Sequence, residues 1–381
     1  MVNIVTILFW LSALVLFYIY MGYPVLIAML AKFRPWPVRE APFTGACSVV
    51  VVAYNEADIL PGKIESLLRS DALEHIVEIV VASDGSTDGT EEIIGSLGDS
   101  RIRVIAFPIR RGKAAVLNDV VPTCKGDIVV FTDARQKVDA RAIGSLLANF
   151  ADAEVGVVSG ELVFEATDAT AATQGLGAYW AYEKCIRRCE ARCHSVPGAT
   201  GALYCLRRRL FEPIPETILL DDVAIPMQAV LSGYRCVFSN AARVYDIPSQ
   251  TMSQEAGRKR RTLAGNAQIL FLYPRFLNPL RNPIWFQYVS HKVARLFSPF
   301  ALIGLLVTSI VLAGSLCAQL ALWLQCVLYG GAGIGWLSQR MGCPLRWFGV
   351  PLAFVSLNMI TLVAIADAAS GRFNVRWSRS R

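Results

Sequence analysis

The chain has 381 residues, 54% of them hydrophobic and 18% charged, with a mean hydropathy of +0.44. That is too apolar for an ordinary cytosolic enzyme and calls for membrane segments beside a soluble domain. The net charge of +7 is mostly arginine beside those segments, without interleaved aromatics or a nucleic-acid motif, so no nucleic acid is expected as a partner.

In chain order, residues 4–31 are nearly uncharged and long enough to span a bilayer. Lys32, Arg34 and Arg39 follow, which places that end in the cytoplasm and the N-terminus outside. Pro35 and Pro37 make a stiff exit. From residue 48 the pattern alternates. Strands are expected at 48–53, 77–82, 102–107, 128–132 and 155–159. Helices are expected at 57–69, 87–97, 113–121 and from the Asp139 cap to 150. Alternating β-branched runs and helices predict a doubly wound, mostly parallel α/β sheet. Further on come a long helix at 173–192 carrying Tyr179, Trp180, Tyr182 and Glu183, a small-residue loop at 197–202, and strands at 203–206 and 235–238. Asp221 and Asp222 open a helix to 231, and Arg258–Thr262 falls on a helix.

The C-terminal part is membrane again. Residues 285–296, with His291, Lys292 and Arg295 among apolar side chains, read as an interfacial amphipathic helix. Residues 298–313, 316–337 and 348–368 are candidate spans. Three such spans after an outside N-terminus would export Arg372, Arg376, Arg379 and Arg381, against the positive-inside rule. Either one candidate does not span or upstream charges override the tail. The organisation expected is a transmembrane helix at 1–32, a cytoplasmic catalytic domain at 45–265, interfacial helices at 266–296, about three spans at 297–369 and a basic tail at 370–381. That makes a multi-pass protein of the cell (inner) membrane.

Ten cysteines are scattered without a CxxC pair. Cys185, Cys189 and Cys193 recur at helical i, i+4, i+8 spacing. That forms a stripe, not a tetrahedron, and reads as packing rather than zinc.

Chemistry collects at the expected carboxyl ends of the strands, where open α/β sheets bind ligands. Tyr54-Asn55-Glu56 ends the first strand and Ser83-Asp84-Gly85-Ser86-Thr87-Asp88-Gly89-Thr90 the second. Asp84 can accept from an imide or ribose hydroxyl. Arg110-Arg111-Gly112-Lys113 precedes a helix start, which suits phosphate. Asp133 follows the buried run 128–132 and can hold a divalent cation bridging a diphosphate. Each alone has an ordinary reading as a turn or cap; together on one edge they point to a nucleotide site.

Val-Ala-Tyr-Asn-Glu, Ser-Asp-Gly-Ser-Thr-Asp-Gly-Thr, Arg-Gly-Lys-Ala-Ala-Val-Leu-Asn and Phe-Thr-Asp-Ala, in this order, resemble family 2 glycosyltransferases. These are the inverting, GT-A-fold group that includes cellulose, chitin and hyaluronan synthases. The likeness spans about residues 45–265. It implies that Ala53, Tyr54 and Glu56 line the nucleobase pocket, that Asp84 contacts the nucleoside, and that Lys113 lies near the diphosphate or sugar. Asp133 becomes the first Asp of the metal motif, for Mg2+ or Mn2+. Arg135 stands where a second carboxylate is expected: metal binding then rests on Asp133 alone, or Arg135 supplies positive charge, or it is a plain loop residue. Gly201 falls in the acceptor-side loop. Asp222 matches the catalytic base, with Asp221 beside it; a two-Asp helix cap is the plain alternative. Inversion needs one carboxylate to deprotonate the attacking hydroxyl and cationic stabilisation for the leaving diphosphate. Processive synthases carry Gln-x-x-Arg-Trp after the base. Here Arg258 and Thr262 replace the Gln and Trp, while Arg261 remains to meet the diphosphate or to face anionic lipid.

The expected function is transfer of a sugar from a nucleotide-sugar, a UDP-sugar first, to a lipid-linked or saccharide acceptor at the membrane lipid surface, without processivity. A processive polysaccharide synthase and a non-catalytic nucleotide-sugar-binding membrane subunit are the alternatives.

Overall fold

A computed structural model describes residues 3–164, 171–247, 252–343 and 345–371. The tail arginines from Arg372 on lie outside the described residues, as does the side chain of Tyr179.

The chain enters on α1, which runs unbroken over Ile4–Phe33. The soluble part then lays down β1 (Cys47–Ala53), α2 (Leu60–Leu68), β2 (Ile76–Asp84), α3 (Thr90–Gly95), β3 (Ile102–Phe107), α4 (Lys113–Val120), β4 (Ile128–Thr132), β5 (Lys137–Val138), α5 (Ala142–Leu147) and β6 (Val155–Phe164). There follow α6 (Ala171–Cys193), β7 (Leu203–Arg207), α7 (Asp221–Leu231), β8 (Arg235–Asp246) and α8 (Met252–Leu272). Val, Ile and Phe fill β1, β2 and β4 because these strands are covered on both faces. Each such side chain contributes about 1.5–3 kcal/mol on burial.

The sheet order is β3-β2-β1-β4-β7-β6-β8-β5. Strands β1 to β4 pair in parallel, as the alternating pattern predicts. The second half is mixed. β7 is antiparallel to both β4 and β6, and β5 is antiparallel to β8. This reversal matters because Thr132 at the end of β4 faces Leu203 at the start of β7. The loop before β7 thereby arrives at the same edge as Asp133. Thr132 Oγ1 donates to Ala202 O at 2.8 Å and pins the junction.

Two apolar layers sandwich the sheet. One gathers α4, α7 and α8 around Phe131 and Tyr204, whose rings stack at 4.6 Å. The other gathers α2 and α5. Arg235, 1% exposed, fastens the linker after α1. Its guanidinium donates to His194 O at 3.0 Å and Trp36 O at 2.6 Å, carbonyls that would otherwise each cost about 1–3 kcal/mol if buried unpaired.

The membrane part adds α9 (Trp285–Val311), α10 (Leu316–Arg340) and α11 (Gly349–Ser370). With α1, these are long and apolar enough to cross a bilayer. Residues 285–296, expected as a separate interfacial helix, are continuous with the following apolar stretch, because a π-turn at Tyr288–Val293 carries the helix through. Helices α1 and α9 run antiparallel. Gly304 lies against Ser12, Tyr20 Oη meets Ser298 Oγ at 2.6 Å, and Tyr23 packs on Phe286. Small residues and hydroxyl pairs of this kind are the usual contacts between membrane helices. Of the cysteine stripe of α6, Cys189 and Cys193 pack here with Tyr23 and Ile27 of α1, while Cys185 is exposed.

Candidate active site

At the carboxyl ends of β1 and β2 the backbone is locked before any side chain is offered to a ligand. Asn55 sits at φ 52°, a left-handed conformation that Asn tolerates. Its side chain accepts from Thr87 N at 2.8 Å, and its own N–H donates to Ser86 Oγ at 3.1 Å. Gly85, at φ 70°, lets the Arg110 backbone approach; a Cβ there would meet Arg110 N at 2.7 Å. Asp84, the expected nucleoside contact, is 4% exposed. Its two oxygens accept from the Arg111 and Gly112 amides at 2.7 and 2.9 Å. Asp84 therefore holds the loop ahead of α4 in shape, a task the strand-end pattern did not distinguish from ligand binding. Above it the Arg110 guanidinium stacks on the Tyr54 ring at 3.7 Å, with Nε and Nη2 buried and not hydrogen-bonded. Ala53 is buried at the end of β1, and the Glu56 amide donates to Thr90 Oγ1 at 3.2 Å.

The centre of the edge is a cluster of three carboxylates and several cations. Lys113, first residue of α4, places Nζ 3.0 Å from Asp133 Oδ1 and 3.2 Å from Asp221 Oδ2. Burial opposes its charge, but Asp133 and Asp221 outweigh it and hold the ammonium above its ordinary pKa. Asp222 is held through its Oδ2 by the Gly201 amide at 3.0 Å, while the Ala199 amide donates to Asp222 O at 2.7 Å. Burial first, and then Asp221, push Asp222 up to about 6; Lys113 and Lys292 pull the other way. A carboxylate so tuned is ionised near neutrality yet basic enough to accept a proton. Arg261, from α8, faces the same three carboxylates, which support its charge against burial. Arg258 lies a turn earlier on α8 and is half-buried; its carbonyl accepts from Thr262 Oγ1 at 3.1 Å.

Arg135 turns away from this cluster. Its guanidinium pairs with Asp246 at the end of β8, 2.7 Å away, and lines a cavity of about 610 Å³ with Lys63, Gln136 and Tyr245. Sequence reasoning passed over three contributors. Lys63 is 3% exposed and donates to Thr132 Oγ1 at 2.6 Å and Gln136 O at 2.9 Å; burial lowers it to about 7. The signal was available, because position 63 falls on the apolar face with Leu60, Ile64 and Leu67. Tyr204 lies buried beneath the carboxylates, its hydroxyl not hydrogen-bonded, and burial followed by Asp221 raises its pKa. Lys292 reaches the neighbourhood of Asp222 from α9, and no spacing in the sequence could announce that.

Mg2+ keeps most of its shell for water and substrate phosphates and takes one or two carboxylates from protein. Asp133, a hard oxygen donor with a side chain 16% exposed on the ligand edge, fits that donor set. Among the described residues no cluster of three His, Cys, Asp or Glu forms a closed metal cage.

Residues 48–214 match the model of glycosyl transferase family 2. A poly-beta-1,6-N-acetyl-D-glucosamine synthase of Staphylococcus aureus (strain MSSA476) is 23% identical over 227 residues, 58% of this chain and 54% of the relative. The enzyme of the same name from Staphylococcus epidermidis (strain RP62A) is 20% identical over 268 residues, 69% and 63% of the two chains. This chain thus spans little more than half the length of the curated relatives it matches. Among solved structures, a mannosyltransferase from Pyrobaculum calidifontis in complex with GDP-Man and Mn2+ superposes with a TM-score of 0.70 at 21% identity. The match covers 95% of this chain and 99% of that one, and establishes a shared fold.

Proposed function

From the match of residues 48–214 to glycosyl transferase family 2, we propose that the chain is a membrane-anchored inverting transferase of that family. It moves a sugar from a nucleotide-sugar to a hydroxyl presented at the membrane surface, with the catalytic domain in the cytoplasm. The observation that carries the reading is Asp222: a carboxylate raised to about 6, fixed by the Gly201 amide, beside the cations Lys113 and Arg261.

In this reading Asp222 takes the proton from the acceptor hydroxyl as its oxygen attacks the anomeric carbon opposite the nucleotide. Asp221 keeps that base from losing its basicity to Lys113, because two close carboxylates disfavour each other's charge. Lys113 and Arg261 face the departing diphosphate. Tyr54, Arg110 and Glu56 hold the nucleoside side, Arg110 through its unbonded N–H groups. Asp133 would hold Mg2+ or Mn2+, which when bound neutralises charge on the diphosphate.

The Staphylococcus relatives carry the name of a polysaccharide synthase, and the Pyrobaculum calidifontis neighbour was solved with a nucleotide-sugar; both support a nucleotide-sugar donor. Arg258 and Thr262, in place of Gln and Trp, favour a single transfer over processive synthesis. Product length from labelled donor separates these two.

Asp222→Asn is the test. It removes the base and keeps the volume, so transfer should fall by roughly 10²–10⁴-fold while donor affinity stays within about twofold. Turnover near the wild-type rate would show that Asp222 is not the base.

A further inference from the structure

We propose that Arg187 is a positioning residue for Asp222, held in place by the membrane helices. This rests on the assignment of Asp222 as base. Arg187 lies on α6 and reaches into the sheet. Its Nη2 donates to Ser159 Oγ at 2.8 Å and to Gly198 O at 3.3 Å. Ser159, fully buried on β6, accepts through the same Oγ from the Thr200 amide at 2.9 Å. The next amide, Gly201, is the donor to Asp222 Oδ2. One guanidinium therefore fixes both ends of the 198–201 loop, and that loop fixes the carboxylate.

The grip on Arg187 comes from the membrane side. Glu183 and Glu190 flank it one turn either way on α6. Both are claimed by His291 of α9: Nε2 lies 2.7 Å from Glu183 Oε1, and Nδ1 lies 2.8 Å from Glu190 Oε1. Arg295 adds a 2.6 Å pair to Glu183 Oε2, and Tyr23 of α1 donates to Glu190. Tyr182 Oη donates to Tyr20 O at 3.1 Å. Glu190 and His291 are 0% and 2% exposed. Buried charge this closely matched has one good arrangement, because a shifted partner leaves a charge uncompensated. α6 is thus registered against α1 and α9 at the turn that carries Arg187. The bilayer helices do more than anchor the domain; they set the loop that aims its base. A displacement of about 1 Å at such a point can cost on the order of 100-fold in rate.

The test uses the full chain in lipid nanodiscs, with Arg187→Gln, Arg187→Lys, Ser159→Ala and His291→Gln compared against wild type and Asp222→Asn. Arg187→Gln should lower kcat by roughly 10–100-fold with donor affinity and acceptor KM within about twofold. Arg187→Lys, which still offers N–H to Ser159, should recover most of that loss. Ser159→Ala and His291→Gln should lower kcat in the same sense without weakening donor binding. Arg187→Gln or Ser159→Ala turning over at the wild-type rate beside an inactive Asp222→Asn would overturn the positioning role alone. An equal loss of donor affinity in Arg187→Gln would overturn it as well, by showing general damage to the site. An active Asp222→Asn would remove the base assignment, and the positioning role with it.

Discussion

Asp222 is pulled in two directions, and the balance has a consequence in pH. Burial and Asp221 raise it to about 6, against Lys113 and Lys292. As the proposed base, Asp222 works ionised, so kcat/KM should fall as pH drops through about 6, to roughly a tenth of its plateau one unit below. A pH–rate profile flat down to pH 4 would contradict this. Asp133 carries a second expectation. Its Oδ1 is shared with Lys113 in the free protein, and it is the carboxylate proposed to hold the cation. Asp133→Ala should therefore make donor binding indifferent to Mn2+, measured by calorimetry with and without metal, whereas wild type should bind the donor more tightly with it. Equal wild-type affinities in both conditions would sink the assignment. At this scale the sequence announced residues that the fold gathers at one edge: Asp133 closing an apolar strand and Lys113 opening a helix after Gly, 3.0 Å apart. It did not separate Asp84, whose oxygens accept from two loop amides, from Asp133, which pairs with Lys113, because both end strands in the same way. Lys292 and Arg187 were beyond it, since their partners lie 70 and 28 positions away along the chain and meet them only through helix packing.

Among the elements, the parallel half of the sheet was legible because β-branched runs alternate with amphipathic helices. The reversal at β7 was not. A buried antiparallel strand has the same apolar texture as a parallel one, and the difference lies in connection lengths that several topologies accept. That reversal brings Gly201 to Asp222, so part of the site was hidden with it. Helix α8 closes the other side by close approach. A Cβ on Gly265 would lie 2.4 Å from Leu220 Cγ and 3.1 Å from Leu219 Cβ, directly ahead of Asp221. Helix propensity alone would favour Gly265→Ala by about 1 kcal/mol. Overpacking of a filled interior costs about 1–3 kcal/mol and should win. The variant should unfold at lower temperature and, because the push falls on the residues leading into the base, lose kcat as well. A more thermostable variant with unchanged kcat would show that α8 stands off from that segment.

At the scale of the whole molecule, the apolar helices were legible by length, and their arrangement was not. Composition gave four helices fit to cross, an even number that would place both termini outside and the Arg-rich tail on the wrong side. Packing offers a different count. α9 leaves the catalytic domain at His291 and runs antiparallel to α1. α10 returns, its Gln325 Nε2 donating to Leu302 O at 3.0 Å. The turn after it is flanked by Arg340 and Arg346, as expected of a cytoplasmic loop. α11 then starts against the end of α10, where Gly335 lies close to Phe348. It finishes against the catalytic domain: Ala364 is buried among core residues that include Ala264 and Ile269, and Asp367 receives both Nε and Nη2 of Arg260, at 2.6 and 2.8 Å. Both ends of α11 therefore lie on the catalytic side, so we predict that α1, α9 and α10 cross and α11 packs along the cytoplasmic face. The tail then stays inside, as its charge requires. Cys317 and Cys343, both exposed, sit at opposite ends of α10 and report the outcome. In intact cells an impermeant maleimide should label Cys317 and spare both Cys343 and a cysteine appended after Arg381. Permeabilisation should expose the latter two. Labelling of the appended cysteine in intact cells would mean that α11 crosses after all, and its contacts with α8 would then have to be broken in the bilayer.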